Sequence, residues 1–527
     1  MSTSLFEIIG PVMVGPSSSH TAGMARIGMM AHLIAGFIPE RLTLRLSPTL
    51  RTTYHGHRSD ASLVGGVLGW MPNDPRLRDA LSIAKDQGVD IRIAFLPPKV
   101  YHPNTVRLEM VSADGTEVSV RGVSVGGGSI IIEAVDDCDM LLDPNLRHII
   151  IWGSGAENAV DCFKRKYEQR FARGEYPDVK IQGGDRLCSV SFVPDIGEEI
   201  GDTLRALPDI DRISFVPPVL AYGATISEEQ EYHSCEELAA ACRREGSSLS
   251  EIAQRYEESR SGHSRKEIRD LMTEQLAVMR ESARYGLNEE NQMLYGLTSG
   301  EDGKRMMKQA EHSISGGIVP EAVARALAVM EHNASMGCIV AAPTAGSAGI
   351  VPGCMLTLQE TYHFTDDEIV DALFVSAILG VVMAHRDISF SGSVGGCQGE
   401  VGVSSAIAAA GIASLFSKDP EVPLQAMAMC VKNMLGLVCD PIAGPIEVPC
   451  IKRNAAGVAN AFISAEMACA GITSYLPPDQ VLDALLDVEK RLPGELRCTT
   501  TGGLACAAKA ACLRAELQKE LDEMEQS

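Results

Sequence analysis

The chain has no surplus of positive charge: 46 lysines and arginines face 69 aspartates and glutamates, a net charge of −23 over 527 residues. Binding to nucleic acid or to an anionic membrane needs basic faces, so neither is expected as a partner. The start, MSTSLFEIIGPVMVG, has no charged segment followed by an apolar core, so no secretory leader is expected there. That leaves the cytoplasm as the expected compartment, with the fifteen cysteines free or metal-bound rather than paired as disulfides. No run reads as a membrane span. The most apolar runs, around 369–384 and 455–472, carry Asp, Asn, Ser or Glu among many small residues and read as buried helices. Internal repeats and low-complexity tracts are absent as well.

With 45% apolar and 22% charged residues, the chain has the composition of a soluble globular protein of two to four domains. Residues 1–142 mix β-branched runs (RLTLRL, DIRIAFL, VRLEMVS, TEVSVRGVSV) with helical patterns at 21–36 and 60–71, which predicts an α+β domain. Residues 145–222 read strand, helix, strand, strand, helix, strand, the βαββαβ order of a ferredoxin-like module and a candidate regulatory unit. From 228 to 527 the period is helical, alanine and methionine rise, and glycine-proline loops separate the helices; an all-helical domain is expected. Irregular backbone among buried helices is costly, so the chemistry is sought in those loops.

Three cysteines lie in such loops: Cys397 in GGCQGE, Cys439 in LVCDPIAG and Cys450 in EVPCIKRNA. The last two are eleven residues apart across prolines and glycine, so the loop can fold back and aim both sulfurs at one point. They do not form a CxxC pair, and buried cysteine also serves as a small apolar filler, so both readings stand on spacing alone. The glycines around Cys397 let the backbone approach something bulky. The other twelve cysteines, Cys498 among them, are read as core residues.

SVGGCQGEVGVSSAIAAAG, GLVCDPIAGPIEVPCIKRNAAGVANA and NASMGCIVAAPTAGSAGIVPG resemble the α portion of the iron–sulfur-dependent L-serine dehydratases. FEIIGPVMVGPSSSHTAG, GHRSD, HPNTVR and SVGGG resemble the β portion of the same family. The resemblance implies a [4Fe–4S] cluster held by Cys397, Cys439 and Cys450. It further implies one iron left open as a Lewis acid, and an oxygen-sensitive enzyme that takes L-serine to pyruvate and ammonia, expected as a homodimer. Threonine or cysteine as substrate, and a non-catalytic iron–sulfur sensor, are the alternatives. A pyridoxal-phosphate enzyme would need a Schiff-base lysine beside a phosphate loop, and no good candidate pair is present.

GPSSSHTAG places serines at a helix start, where they cap free N–H groups and where a carboxylate can bind. A plain N-cap with a surface histidine fits the same residues. The resemblance turns Ser17, Ser18, Ser19 and Thr21 into substrate-pocket candidates. His57, Ser59 and Asp60 align with the family's Gly-His-x-Thr/Ser-Asp pattern and His55 does not, while His102 and Asn104 match HPNTVR. His57 or His20 is the candidate base, imidazole being the natural group near neutral pH. Thr344, Arg453 and Asn454 are candidates for holding substrate or cluster. Three departures stand out: Ala348 where many relatives carry cysteine, Val394 where they often carry an acid, and an end, LDEMEQS, without the cysteine that caps the cluster in some single-chain relatives. Glu400 has no role beyond its place in the motif.

Overall fold

The computed structural model describes residues 3–97, 102–172, 180–184, 186–192, 199–219 and 232–526. Its strands are β1 (Val12–Val14), β2 (Arg41–Leu46), β3 (Asp90–Phe95), β4 (Thr105–Val111), β5 (Glu117–Gly126), β6 (Ser129–Val135), β7 (Cys138–Leu142), β8 (Arg147–Trp152), β9 (Lys180–Gly184), β10 (Leu187–Phe192), β11 (Arg212–Val216) and β12 (Cys338–Val340). The molecule is multidomain, with mixed-sheet architecture in the N-terminal region and a helical C-terminal part.

Alternation builds the first sheet. In RLTLRL, Leu42, Leu44 and Leu46 are fully buried on one face, and Arg45 on the other pairs with Glu109 at 2.7 Å. The strand order is β3-β2-β4-β5-β6-β7, with β2 and β3 parallel and every other pair antiparallel. The two predicted helices are Gly23–Ala35 and Ser59–Val67. They cross backbone to backbone: a Cβ on Gly28 would lie 2.3 Å from the Leu63 carbonyl oxygen, and one on Gly66 2.1 Å from that of Ala25. Only glycine permits this approach, and it brings together the turns that precede the two helices, which carry His20 and His57.

The second sheet is antiparallel throughout, in the order β11-β8-β10-β9, and helices Ala156–Ala172 and Glu199–Arg205 belong to it in chain order. It docks on the first sheet and on helix Gly23–Ala35 through side-chain hydrogen bonds. The Gln182 amide accepts from Leu141 N–H and donates to Leu141 C=O, both at 2.7 Å. Trp152 Nε1 donates to Asp136 at 2.8 Å, and Ser214 Oγ donates to the Ile34 carbonyl at 2.7 Å.

In the helical part, four starts carry a Ser/Thr-x-x-Glu capping box, at Ser234, Ser248, Ser264 and Thr365. The centre is formed by Asp366–His385 and Val403–Phe416, apolar almost all round. By length and composition Asp366–His385 and Gly392–Phe416 could cross a membrane, yet 78% of each apolar window is buried inside the protein. The apolar run 369–384 lies within Asp366–His385, and the run 455–472 lies along Cys450–Cys469 and ends three residues beyond it. The expectation of an entirely helical domain needs one correction: β12 is a strand. Its partner β1 comes from the far N-terminus, with Val12 opposite Val340, so local sequence could not signal it. Leu5, Phe6, Ile8, Ile9 and Met13 likewise join the helical core.

His332, near the end of helix Val319–Ala334, packs against the Tyr285 ring with centroids 4.4 Å apart. Burial pushes its imidazole from 6.5 down to about 4, only partly opposed by Glu281. The unfolded chain therefore binds this proton more tightly. His332 contributes stability that is complete above pH 6.5 and is lost as pH falls towards 4, on the order of 3 kcal/mol at roughly 1.4 kcal/mol per unit. The urea midpoint of His332→Gln should drop less between these pH values than that of the parent protein. Equal drops would exclude His332 as a source of acid sensitivity.

Candidate active site and metal centre

The cysteines arrive from three segments. Cys397 ends the short helical stretch Gly392–Cys397, which is kinked at Gly396 (φ 70°, ψ −171°) before the chain enters helix Val403–Phe416. Cys439 is pinned by backbone bonds on both sides: its N–H donates to Leu496 at 2.9 Å and its carbonyl accepts from Cys498 N–H at 2.8 Å. Cys450 opens helix Cys450–Cys469 directly after Pro449. All three are buried, at 2%, 3% and 9% exposure.

Donor atoms of Cys397, Glu400 and Cys439 lie within 4.8 Å of one another, and the charges of Cys397 and Glu400 reach Cys450. A hydrogen bond to Cys439, together with burial, pushes the Cys397 thiol up; burial does the same to Cys450. Cys439 is lowered by its bond with Cys397, but a bond to the Cys498 thiol and burial outweigh that and raise it. Protonated, such thiols resemble core filler; a bound cation converts them to thiolate ligands. Arg453 supplies positive charge beside them. Its guanidinium lies 3.3 Å from Cys397 Sγ and is held by the Val438 carbonyl and Asp440 Oδ1, each at 2.8 Å.

Glu400 belongs to this centre. Burial pushes its carboxyl up to about 7, against a hydrogen bond with Thr344 and the charge of Arg453. A Cβ on Gly392 would stand 2.7 Å from Glu400 Oε2 and 3.1 Å from Cys439 Sγ. The reading of the glycines as room around Cys397 is corrected accordingly. Gly392 faces the donors, whereas Gly395 and Gly399 pass over the Ser389 carbonyl, 2.7 and 2.3 Å from where their Cβ atoms would be.

The second cluster is polar. Ser17 caps the turn Ser18–Ala22 by accepting from His20 N–H at 3.1 Å, so that donor is already occupied. Ser18 and Ser19 are buried in this turn. Thr21 Oγ1 donates to the His57 carbonyl at 2.9 Å, tying the two turns together. The rings of His20 and His57 stack with centroids 4.6 Å apart and Nδ1 atoms 2.7 Å apart. His20 Nε2 faces Asn104 Oδ1 at 2.9 Å, and His57 Nε2 faces the Gly444 carbonyl at 3.0 Å. Burial pushes His20 down to about 4; burial and then the charge of His20 push His57 down as well. His102 stands behind Asn104, its Nδ1 accepting from Asn104 N–H at 3.2 Å.

The two clusters meet at the loop between Cys439 and Cys450, because Gly444 lies in it. Glu447 of the same loop accepts from the N–H groups of Tyr295, Leu297 and Thr298 at 2.9, 2.8 and 3.3 Å. Asn454 fastens the other side: it accepts from Gly349 N–H at 3.1 Å and donates to Gly346 and Cys450 carbonyls at 2.9 and 3.0 Å. Thr344 and Ser347 pair at 3.1 Å within that loop.

Asp60 stands apart from His57. Its carboxylate pairs with His55 Nδ1 at 2.9 Å, so the histidine outside the aligned pattern is the one that Asp60 engages. Ser59 is fully buried beside it. Sequence reasoning notes Glu400 in the motif without giving it a role, although its spacing of three from Cys397 is a signal for one helical face. Cys498, read as a core residue, does pack half-buried against the helical core, but from a turn at φ 56° beside Cys439 rather than from a helix. The Pro493 and Gly502 that bracket it argue for a loop.

A family model described as "Serine dehydratase alpha chain" matches residues 244–505. The probable L-serine dehydratase alpha chain of Bacillus subtilis (strain 168) is 43% identical over 258 residues, covering 49% of this chain and 84% of its own length. The probable beta chain from the same organism is 34% identical over 214 residues, covering 40% of this chain and 96% of its own. The L-serine dehydratase of Streptomyces coelicolor is 28% identical over 526 residues, covering 96% of this chain and 99% of its own.

Proposed function

This chain belongs to the L-serine dehydratase family, and we infer that it is an L-serine ammonia-lyase: it eliminates water from L-serine and yields pyruvate and ammonia. The observation that carries the reading is the meeting of the buried Cys397 and Cys439 with Glu400 and Arg453, with Cys450 within reach of their charges, on a loop whose carbonyl also holds His57.

The donor set fits an iron–sulfur group. Three enclosed thiols offer soft ligands, the missing Cβ of Gly392 lets Glu400 and Cys439 approach the backbone closely, and the Arg453 guanidinium balances the negative charge of thiolates. Cys397, Cys439 and Cys450 would hold a [4Fe–4S] cluster, which supplies Lewis acidity towards the serine hydroxyl. The chain supplies the rest. Removal of the Cα proton falls to the His20–His57 pair, where imidazole chemistry is concentrated. Glu400 Oε holds or releases a proton among the cysteines. Ser17, Ser18, Ser19, Thr21, Ser59, Asp60, His102, Asn104, Thr344 and Arg453 are read as the polar wall that orients substrate. Asn454 acts by fixing the 344–349 loop to the Cys450 helix. Loss of water gives aminoacrylate, which tautomerises to an imine, and water then releases pyruvate and ammonia without further help.

We read residues 145–222 as a ferredoxin-like module between a β-type domain (1–142) and the iron–sulfur domain (228–527). The antiparallel order β11-β8-β10-β9 supports that reading.

Anaerobically purified protein should form pyruvate from L-serine faster than 2-oxobutyrate from L-threonine or pyruvate from L-cysteine, and should lose activity together with its visible absorbance in air. Activity in a colourless, iron-free preparation would sink the cluster reading. Turnover of threonine or cysteine but not serine would transfer the substrate assignment.

A further inference from the structure

Hydrogen-bond polarity counts protons in the His20–His57 pair. His20 Nε2 faces the Asn104 side-chain oxygen at 2.9 Å, and the orientation of that amide is set by its own Nδ2, which donates to the Ser124 carbonyl at 3.2 Å. His57 Nε2 faces the Gly444 carbonyl at 3.0 Å. Both partners are acceptors, so each Nε2 carries hydrogen. In two neutral rings of that tautomer, both Nδ1 atoms would be bare lone pairs, yet they stand 2.7 Å apart. Moving one ring to the other tautomer relieves that contact only by turning a bare Nε2 towards Asn104 Oδ1 or the Gly444 oxygen. One added proton satisfies all three contacts at once.

We propose that His20 and His57 hold a single proton between their Nδ1 atoms and act as one proton-sharing unit rather than as two independent bases. Around the pair stand neutral groups: Ser17, whose Oγ is 3.4 Å from His20 Nδ1, Thr21, Asn104 and the Gly444 carbonyl. The ionisable groups of the adjoining turn are engaged elsewhere: His55 and Asp60 pair with each other, Arg58 Nη2 donates to the Arg78 carbonyl, and Tyr295 spends its hydroxyl on the His55 carbonyl at 2.8 Å. Glu447 is taken up by backbone N–H groups. Burial opposes any charge on the pair and a second most of all, so the one proton is kept by geometry: it alone satisfies the 2.7 Å Nδ1–Nδ1 contact while both Nε2 atoms donate. The consequence rests on the lyase reading: neither ring offers a free nitrogen while the bridge is closed. Substrate must part the rings, leaving the proton on one Nδ1 and a bare acceptor on the other.

The test is nitrogen-15 NMR of the full-length protein labelled at histidine, followed from about pH 6 to about pH 8, where free imidazole titrates. One exchange-protected N–H proton, far downfield of ordinary imidazole N–H signals and attached to Nδ1, is expected. It should vanish completely in both His20→Gln and His57→Gln and persist in His55→Gln. Two bare Nδ1 signals across that range in the parent protein, with no such proton, would overturn the proposal without reliance on any variant. Pyruvate formation measured on the same samples separates the two readings. An active serine lyase lacking the shared proton loses only the pair, and a protein with the proton but inert to serine loses only the substrate assignment.

Discussion

Cys397→Ser is expected to abolish pyruvate formation from L-serine and to strip iron and visible absorbance from the protein together. The side chain is 2% exposed, shares donor distance with Cys439 and Glu400, and takes the Arg453 guanidinium at 3.3 Å. A serine oxygen is a harder and far less acidic donor than a thiol, so it neither replaces the soft ligand nor supplies the charge that Arg453 balances. The fall in turnover should be on the order of 10³-fold or more, equivalent to about 4 kcal/mol. Cys469→Ser, at an exposed cysteine on the far end of the Cys450 helix, is the control and should keep both iron and rate. Colour and turnover retained in Cys397→Ser would remove this residue from the centre.

The second large effect is on folding. Glu257, in helix Leu249–Ser261, is fully buried and receives Ser4 Oγ at 3.0 Å, Leu5 N–H at 2.9 Å and Arg260 Nη2 at 2.6 Å. Arg260 is itself only 4% exposed at its side chain. Glu257→Ala removes the anion from a buried ion pair and leaves the guanidinium short of its main partner, a change that costs about 3–5 kcal/mol. It also releases the Leu5–Ile8 helix from its support. Chemical denaturation should show the loss as a lower midpoint, and Glu257→Gln, which retains an acceptor oxygen, should fall between the two. A midpoint unchanged in Glu257→Ala would show that Arg260 is satisfied without it. Because the anchored segment leads through β1 to Ser17 and His20, the variant should also weaken turnover at temperatures where it remains folded.

What could be read from sequence was whatever local pattern encodes. Alternation in RLTLRL and the Ser/Thr-x-x-Glu starts are nearest-neighbour signals, and the corresponding elements form. The cysteine loops announced themselves because glycine and proline interrupt apolar helices. The partners of those cysteines were harder to see. Glu400 depends on its helical phase relative to Cys397, Cys498 on a backbone bridge to Cys439, and Arg453 on a guanidinium reaching back across a turn. The pairing of Asp60 with His55 rather than His57 was invisible for a similar reason. Both lie within five residues of Asp60, and only the folded turn decides which ring faces the carboxylate. Pairing of β1 with β12 spans more than 320 positions, beyond the reach of any windowed pattern.

The embedding of the N-terminus has a consequence for assembly. Leu5, Phe6, Ile8, Ile9 and Met13 are built into the core of the helical part, β1 completes a ribbon with β12, and Glu257 clasps Ser4 and Leu5. The same residues that begin the sheet-bearing half are thus structural material of the other half. Two polypeptides divided between the halves would need no new surface to find each other, since the first would enter the second as a donated strand and helix. A break in the chain between the halves would thus remove a covalent link and leave that interface itself intact.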